Sequence, residues 1–213
     1  MMLSQNVREL EQGDYGDNMI SFEKSSQNFC IGFVDVVNST RNIARLSQEQ
    51  TCVYYSVFLN TVGYIIQNYD AKVVKNTGDG ILFYFPKHSI KDTDNYDLPL
   101  DCGTKILDAT SQINTLFKKY QIPPMRYRIS LDYGPLMVAK YVTSSCRDIF
   151  GPTVNLCAKI NHLAKPGQLV VGGDLYQIVK KSKDYTFDEV AEFQCALKQD
   201  YSVYSLLTKP QTI

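Results

Sequence analysis

The sequence predicts an α+β fold, a ferredoxin-like β-α-β-β-α-β core with additional C-terminal strands and helices. Three observations point there. Short apolar runs of strand length are separated by longer segments of helical period. Their order is β-α-β-β-α-β, followed by further strands. The chain has 213 residues, 44% of them hydrophobic, which suits one domain with a sizeable core.

Each element has its own signal. Residues 1–28 are polar and carry no sustained period, so they are expected to be an N-terminal extension. FCIGFVDVV (29–37) is nearly continuous apolar sequence broken by one acid, the mark of a buried strand. Asn38-Ser39-Thr40 then offers a helix cap. Ser47 with Gln50 three residues on makes a capping box. After it Val53, Val57, Phe58, Val62, Ile65 and Ile66 keep helical spacing to about Asp70. AKVVK (71–75) reads as a strand, Asn76 to Gly80 as a tight turn, and ILFYF (81–85) as the returning strand. Leu100, Ile106, Leu107, Ile113, Leu116 and Phe117 mark one amphipathic helix over 100–120, closed by Pro123-Pro124. Tyr127–Asp132 and Leu136–Tyr141 read as a hairpin around Tyr133-Gly134-Pro135. A polar loop leads to a helix at 153–164 that Pro166-Gly167 ends. LVV (169–171) is a strand, Asp174 is placed to cap a short helix, and Tyr185–Phe193 and Tyr201–Leu206 read as closing strands. Domain boundaries follow: 1–28 extension, 29–208 domain, 209–213 tail.

Composition excludes several function classes. Lys+Arg and Asp+Glu are both 22, and zero net charge argues against broad nucleic-acid binding. No apolar run is long enough to span a membrane, and no secretory signal opens the chain; a cytoplasmic protein is expected. None of the six cysteines forms a CxxC pair, so neither zinc nor a disulfide framework is expected. Cys30, Cys52 and Cys157 read as small core hydrophobes. His88 and His162 read as surface or structural residues, and the tyrosines, Tyr54, Tyr55 and Tyr64 among them, as core edges and interface. Lys180, Lys181 and Lys183 read as a solvated cluster.

Two acids stand out. In a right-handed β-α-β unit, strands 29–37 and 71–75 run parallel and end at the same sheet edge. Asp35 ends the first and Asp79 follows the second. A returning strand between them sets the acids side by side. Buried acids repel and need compensation; a pair of Mg²⁺ or Mn²⁺ ions would supply it, the alternative being that Asp35 caps the next helix and Asp79 fits its turn.

These residues resemble the class III nucleotidyl cyclase catalytic domain, that of adenylyl and guanylyl cyclases. Four motifs carry the likeness: GFVDVVNST (32–40), VVKNTGDGILFYF (73–85), YRISLDYGPL (127–136) and RDIFGPTVNLCAKI (147–160). The resemblance implies that Asp35 and Asp79 hold two divalent ions per site, with the Val36 carbonyl as an extra ligand. It implies that Lys75 and Asp148 read adenine, since guanylyl cyclases carry a Glu and a small residue there. It places Asn155 on the ribose, Arg128 on the triphosphate, and Lys198 on phosphate. The amides of Asn38, Ser39 and Thr40 would cradle phosphate, with Asn38-Ser39 replacing the usual Gly-Phe. Lys159 stands where the family usually has arginine. It is one turn beyond Asn155 and so faces the same way, but lacks the planar fork.

The implied activity is an adenylate cyclase making 3′,5′-cyclic AMP and pyrophosphate from ATP in a homodimer, with neither nucleic acid nor membrane as partner. In the family, metal residues come from one subunit and base and ribose residues from the other. Cyclisation of GTP or a pyrimidine nucleotide is the alternative, as is a catalytically weak nucleotide-binding signalling dimer.

Overall fold

The computed structural model describes residues 20–22, 27–86, 96–141, 147–195 and 198–208. In chain order the elements are β1 (Ile20–Phe22), β2 (Gln27–Val36), α1 (Ser39–Ile43), α2 (Gln48–Asn68), β3 (Lys72–Asn76), β4 (Gly80–Phe85), α3 (Leu98–Asp108) and α4 (Thr110–Lys119). They continue with β5 (Tyr127–Tyr141), β6 (Arg147–Phe150), α5 (Pro152–Asn161), β7 (Leu169–Gly172), α6 (Gly173–Val179), β8 (Tyr185–Cys195) and β9 (Lys198–Thr208).

The main sheet has the order β3-β4-β2-β5-β7-β9-β8. Strand β4 is antiparallel to both β2 and β3, so β2 and β3 run parallel with the returning strand between them, as the sequence predicts. Strand β5 is antiparallel to β2. The first four strands of the order are therefore the ferredoxin-like core, and β7 adds to it parallel to β5.

Strand alternation sorts the side chains into two layers. Val34 and Val36 of β2 and Phe83 and Phe85 of β4 pack with Phe58, Ile66, Ile106 and Phe117 of the helices in the largest core. The opposite face holds Ile31, Leu82, Tyr84, Leu136 and Val138 under Cys157 of α5. Leu156 and Ile160 of α5 pack on Val170, Tyr201 and Val203. The capping box at Ser47 and Gln50 forms in full.

Several expectations are corrected. Residues 127–141 are one continuous strand, not a hairpin. Its first part pairs with β2 up to Leu136, and its last part pairs with β6 from Met137 on. Gly134 does not turn the chain: a Cβ there would sit 2.6 Å from Thr153 Oγ1, so glycine permits α5 to press on the strand. The segment read as polar loop before α5 contains β6. The helix over 100–120 is two helices, because the chain divides at Ala109. Asn38 adopts a left-handed conformation (φ 57°) and its side chain caps nothing. Asp174 lies inside the first turn of α6, whose cap is Gly172. Cys52 is exposed, whereas Cys30, Cys102 and Cys157 are buried. Tyr54 is fully buried rather than at the core edge, and Tyr64 is exposed. His88 and Cys146 lie outside the described residues, and no helix among those residues is long and apolar enough to cross a membrane.

Candidate functional site

The β-α-β unit delivers the two acids to one edge. Asp35 lies opposite Gly80 in the β2–β4 ladder, so Asp79 is the next residue along. The Val36 amide donates to the Asp79 carbonyl at 3.1 Å. Gly80 allows this closeness, since a Cβ would lie 2.8 Å from the Val34 carbonyl oxygen. Both carboxylates are partly shielded, and each has a partner. Asp35 Oδ2 accepts from Arg128 Nε at 3.0 Å and Nη2 at 2.8 Å. The two residues face each other across the β2–β5 ladder. Asp79 Oδ2 accepts from the Ser39 hydroxyl.

This edge suits hard divalent cations. It offers two carboxylates and nearby backbone carbonyls, that of Val36 included, which are the oxygen ligands such ions take. Among the described residues no group of three His, Cys, Asp or Glu side chains converges anywhere. An ion at the acids would therefore need further oxygens from water or substrate, as Mg²⁺ and Mn²⁺ commonly take.

A second cluster joins β3 to β6. Lys75 Nζ donates to Asp148 Oδ2 at 2.7 Å. Asp148 is buried, and its Oδ1 accepts from the Ile149 amide at 2.8 Å. A β-bulge makes the meeting possible. Val73 lies opposite Phe83 and Lys75 opposite Leu82, with the register shifting between them. Residues two apart on a regular strand share a face, which would send Lys75 after Val73 toward α2. The extra residue, Val74, packs instead with the Ile31 and Leu82 cluster. Lys75 is thereby moved to the face where β6 lies.

Helix α5 carries the third group. Asn155 and Lys159 are both exposed, four residues apart on one side of the helix. Beneath them Ser130 Oγ donates to the Cys157 carbonyl at 2.8 Å, and Asn161 Nδ2 donates to the Phe33 carbonyl at 3.0 Å. These bonds fasten α5 to β5 and β2. Burial pushes the Cys157 thiol far up, with the charge of Asp132 adding to it, so this cysteine is a protonated packing residue. At the helix end, His162 Nδ1 lies 2.9 Å from Arg128 Nη2. Arginine has only donors, so His162 accepts through Nδ1.

Of the residues singled out in the sequence, the structure brings together Asp35, Val36, Asp79, Ser39 and Arg128 in one place. It brings Lys75 and Asp148 together in another. Asn155 and Lys159 make neither set complete within the chain. Asn38 and Thr40 are exposed at the start of the one-turn α1. Lys198 opens β9, and its side chain lies outside what is described.

Sequence reasoning missed His162, Asn161 and Asp132. Asp132 is fully buried and accepts from Tyr201 Oη at 2.7 Å. An acid on the strand face shared with Ser130, next to apolar Leu131, or an asparagine in the inward stripe of α5, was the available signal. The His162 contact has none, because its partner is 34 positions away.

Comparison with known proteins agrees with this architecture. Residues 22–208 match the family model of the adenylate and guanylate cyclase catalytic domain. A cytidylate cyclase of Staphylococcus aureus is 20% identical over 166 residues, 75% of this chain and 39% of that protein. An adenylate cyclase of Streptomyces coelicolor is 22% identical over 169 residues, 79% of this chain and 39% of that protein. The chain thus spans about two-fifths of the length of these relatives. Among solved structures, the guanylyl cyclase Cya2 superposes with a TM-score of 0.78 at 15% identity, covering 88% of this chain and 95% of that one. The adenylyl cyclase CyaB from P. aeruginosa gives 0.77 at 16%, covering 89% and 99%.

Proposed function

Since the chain belongs to the adenylate and guanylate cyclase catalytic-domain family, we propose that it is an adenylate cyclase acting as a homodimer with two divalent ions, Mg²⁺ or Mn²⁺, per site. One observation carries the choice of adenine or cytosine over guanine or uracil: Lys75 and Asp148, 73 positions apart, meet at 2.7 Å. A donor thus stands beside an acceptor, in the pattern that an amino group next to a ring nitrogen requires. Adenine has that edge.

In the reaction the ribose 3′-oxygen bonds to the α-phosphorus, the bond to the β-phosphate bridging oxygen breaks, and the 3′-hydroxyl proton is lost. Asp35, Asp79 and the Val36 carbonyl would hold the ions, whose chemistry is to acidify the 3′-hydroxyl and neutralise the leaving pyrophosphate. Asn155 orients the ribose. Lys159 places charge near the reacting phosphate. Arg128 and the amides of Asn38, Ser39 and Thr40 bind the triphosphate, and Lys198 adds a phosphate contact from β9. The buried thiols take no part.

A second reading is a cytidylate cyclase. Cytosine also presents an amino donor on the edge that pairs, and the S. aureus relative bears that name. The test offers each nucleoside triphosphate separately with Mn²⁺ and identifies products by mass spectrometry, with Asp79→Ala as control. Cyclic AMP and pyrophosphate from ATP alone is the expected result. Cyclic CMP as the main product supports the second reading. No cyclic product from any of the four overturns both.

A further inference from the structure

Arg128 is committed to Asp35 in a way that a triphosphate-binding residue need not be. Its Nε and Nη2 both bond Oδ2 of the carboxylate, at 3.0 and 2.8 Å. The pair is mostly shielded, with side chains 19% and 16% exposed, so it interacts more strongly than a surface ion pair. The same guanidinium nitrogen reaches His162 Nδ1 at 2.9 Å. Arg128 is therefore held at two points, one on the acid edge and one at the end of α5. A divalent ion shared by Asp35 and Asp79 competes directly with the first point and leaves the second untouched.

We infer that Arg128 is a built-in stand-in for the cation, which keeps Asp35 neutralised until nucleotide and metal arrive together. This rests on the reading of Asp35 and Asp79 as the metal-holding pair. Two like charges at one edge need compensation. Ser39 supplies a hydrogen bond to one and Arg128 a full positive charge to the other. A bare divalent ion must displace the guanidinium and so binds weakly. A metal-bound triphosphate offers Arg128 a new anionic partner at the moment it leaves Asp35, so the exchange is nearly balanced. His162 is a positioning residue that keeps the released guanidinium near its place rather than free in solvent. Metal and nucleotide binding are then reciprocally coupled, each strengthening the other.

The experiment measures Mn²⁺ binding to the full chain by calorimetry, without nucleotide and with non-hydrolysable α,β-methylene ATP or CTP. The intact protein should bind bare Mn²⁺ weakly and bind it much better with the analogue. Arg128→Gln should tighten binding of bare Mn²⁺ by about tenfold, the scale of a lost hydrogen-bonded charge contact. Arg128→Lys should fall between. The gain should vanish in Arg128→Gln combined with Asp35→Asn, and thermal melts confirm that each variant is folded. Equal affinity for bare Mn²⁺ in the intact and Arg128→Gln chains, or a gain that survives Asp35→Asn, overturns the inference while leaving the metal-binding reading standing. Failure of every protein to take up Mn²⁺ at Asp35, even with either analogue, overturns the metal-binding reading and this inference with it.

Discussion

In the proposed reaction Lys159 sets the expected rate. It stands four residues beyond Asn155 on the exposed side of α5, where related domains usually carry arginine. Lysine brings the charge but not the rigid fork that grips two oxygens at once. If this cation stabilises the transition state, the missing geometry costs about 1–3 kcal/mol. Lys159→Arg should therefore raise kcat at least about fivefold with little change in KM, and Lys159→Ala should lower it further; steady-state kinetics on ATP checks both. A silent signalling dimer predicts saturable nucleotide binding and no turnover in either variant. Single residues were legible where they broke a local rule. Asp35 interrupts an apolar run, Asp79 sits in a glycine-flanked turn, and Lys75 and Asp148 lie within motifs. The roles of Ser39 and His162 were not, because each is defined by a partner brought near only by the fold, 40 and 34 positions away.

Periodicity located most elements at the secondary-structure scale and misjudged how two of them continue. Tyr133-Gly134-Pro135 carries the composition of a turn, yet β5 runs through it. The glycine answers a tertiary demand, the approach of Thr153, whose hydroxyl donates to the Pro135 carbonyl at 3.0 Å. Local sequence cannot separate a glycine that bends the chain from one that makes room for a neighbour. Gly134→Ala should push the start of α5 off the sheet. Overpacking of this kind costs about 1–3 kcal/mol, so thermal melting should show a lower Tm. Because Asn155 rides on the same first turns, kcat should fall more than the loss of folded protein explains, whereas Gly63→Ala, inside α2 and with nothing within 4 Å of its new methyl, should leave kcat unchanged and raise Tm, since alanine favours a helix interior by about 0.5–1 kcal/mol. The β-bulge at Val74 was equally hidden, since AKVVK reads as a plain strand and the parity of Lys75 depends on how it pairs.

At the scale of the whole molecule, topology was the most legible feature. The order β3-β4-β2-β5 follows from right-handed crossovers and short connections, which leave few alternatives. The proposed reaction requires the exposed Asn155 and Lys159 to meet Asp35 and Asp79 at one site. In the symmetric dimer proposed above, each site would draw Asp35 and Asp79 from one subunit and Lys75, Asp148, Asn155 and Lys159 from the other. Asp35→Ala and Asn155→Ala chains, each inactive alone, should then recover activity when mixed. Random pairing makes half the dimers mixed with one of two sites intact, so about a quarter of the wild-type rate is expected. Absence of recovery in demonstrated mixed dimers would rule out the shared site.

The contact between Lys75 and Asp148 has a mechanical side. Lys75 belongs to the outermost strand of the main sheet, while Asp148 sits on β6, which hangs from the far part of β5. The contact is thus a tether between the sheet and its small annex, and half-exposed Lys75 makes it a light one, about 1 kcal/mol or less. If the pair reads the base as proposed, changing only Lys75 to suit guanine would also leave the buried Asp148 carboxylate without its cation. Failure of such a redesign would then trace to the stranded charge rather than to a wrong choice of recognition chemistry, and paired substitutions that keep the contact are the cleaner route.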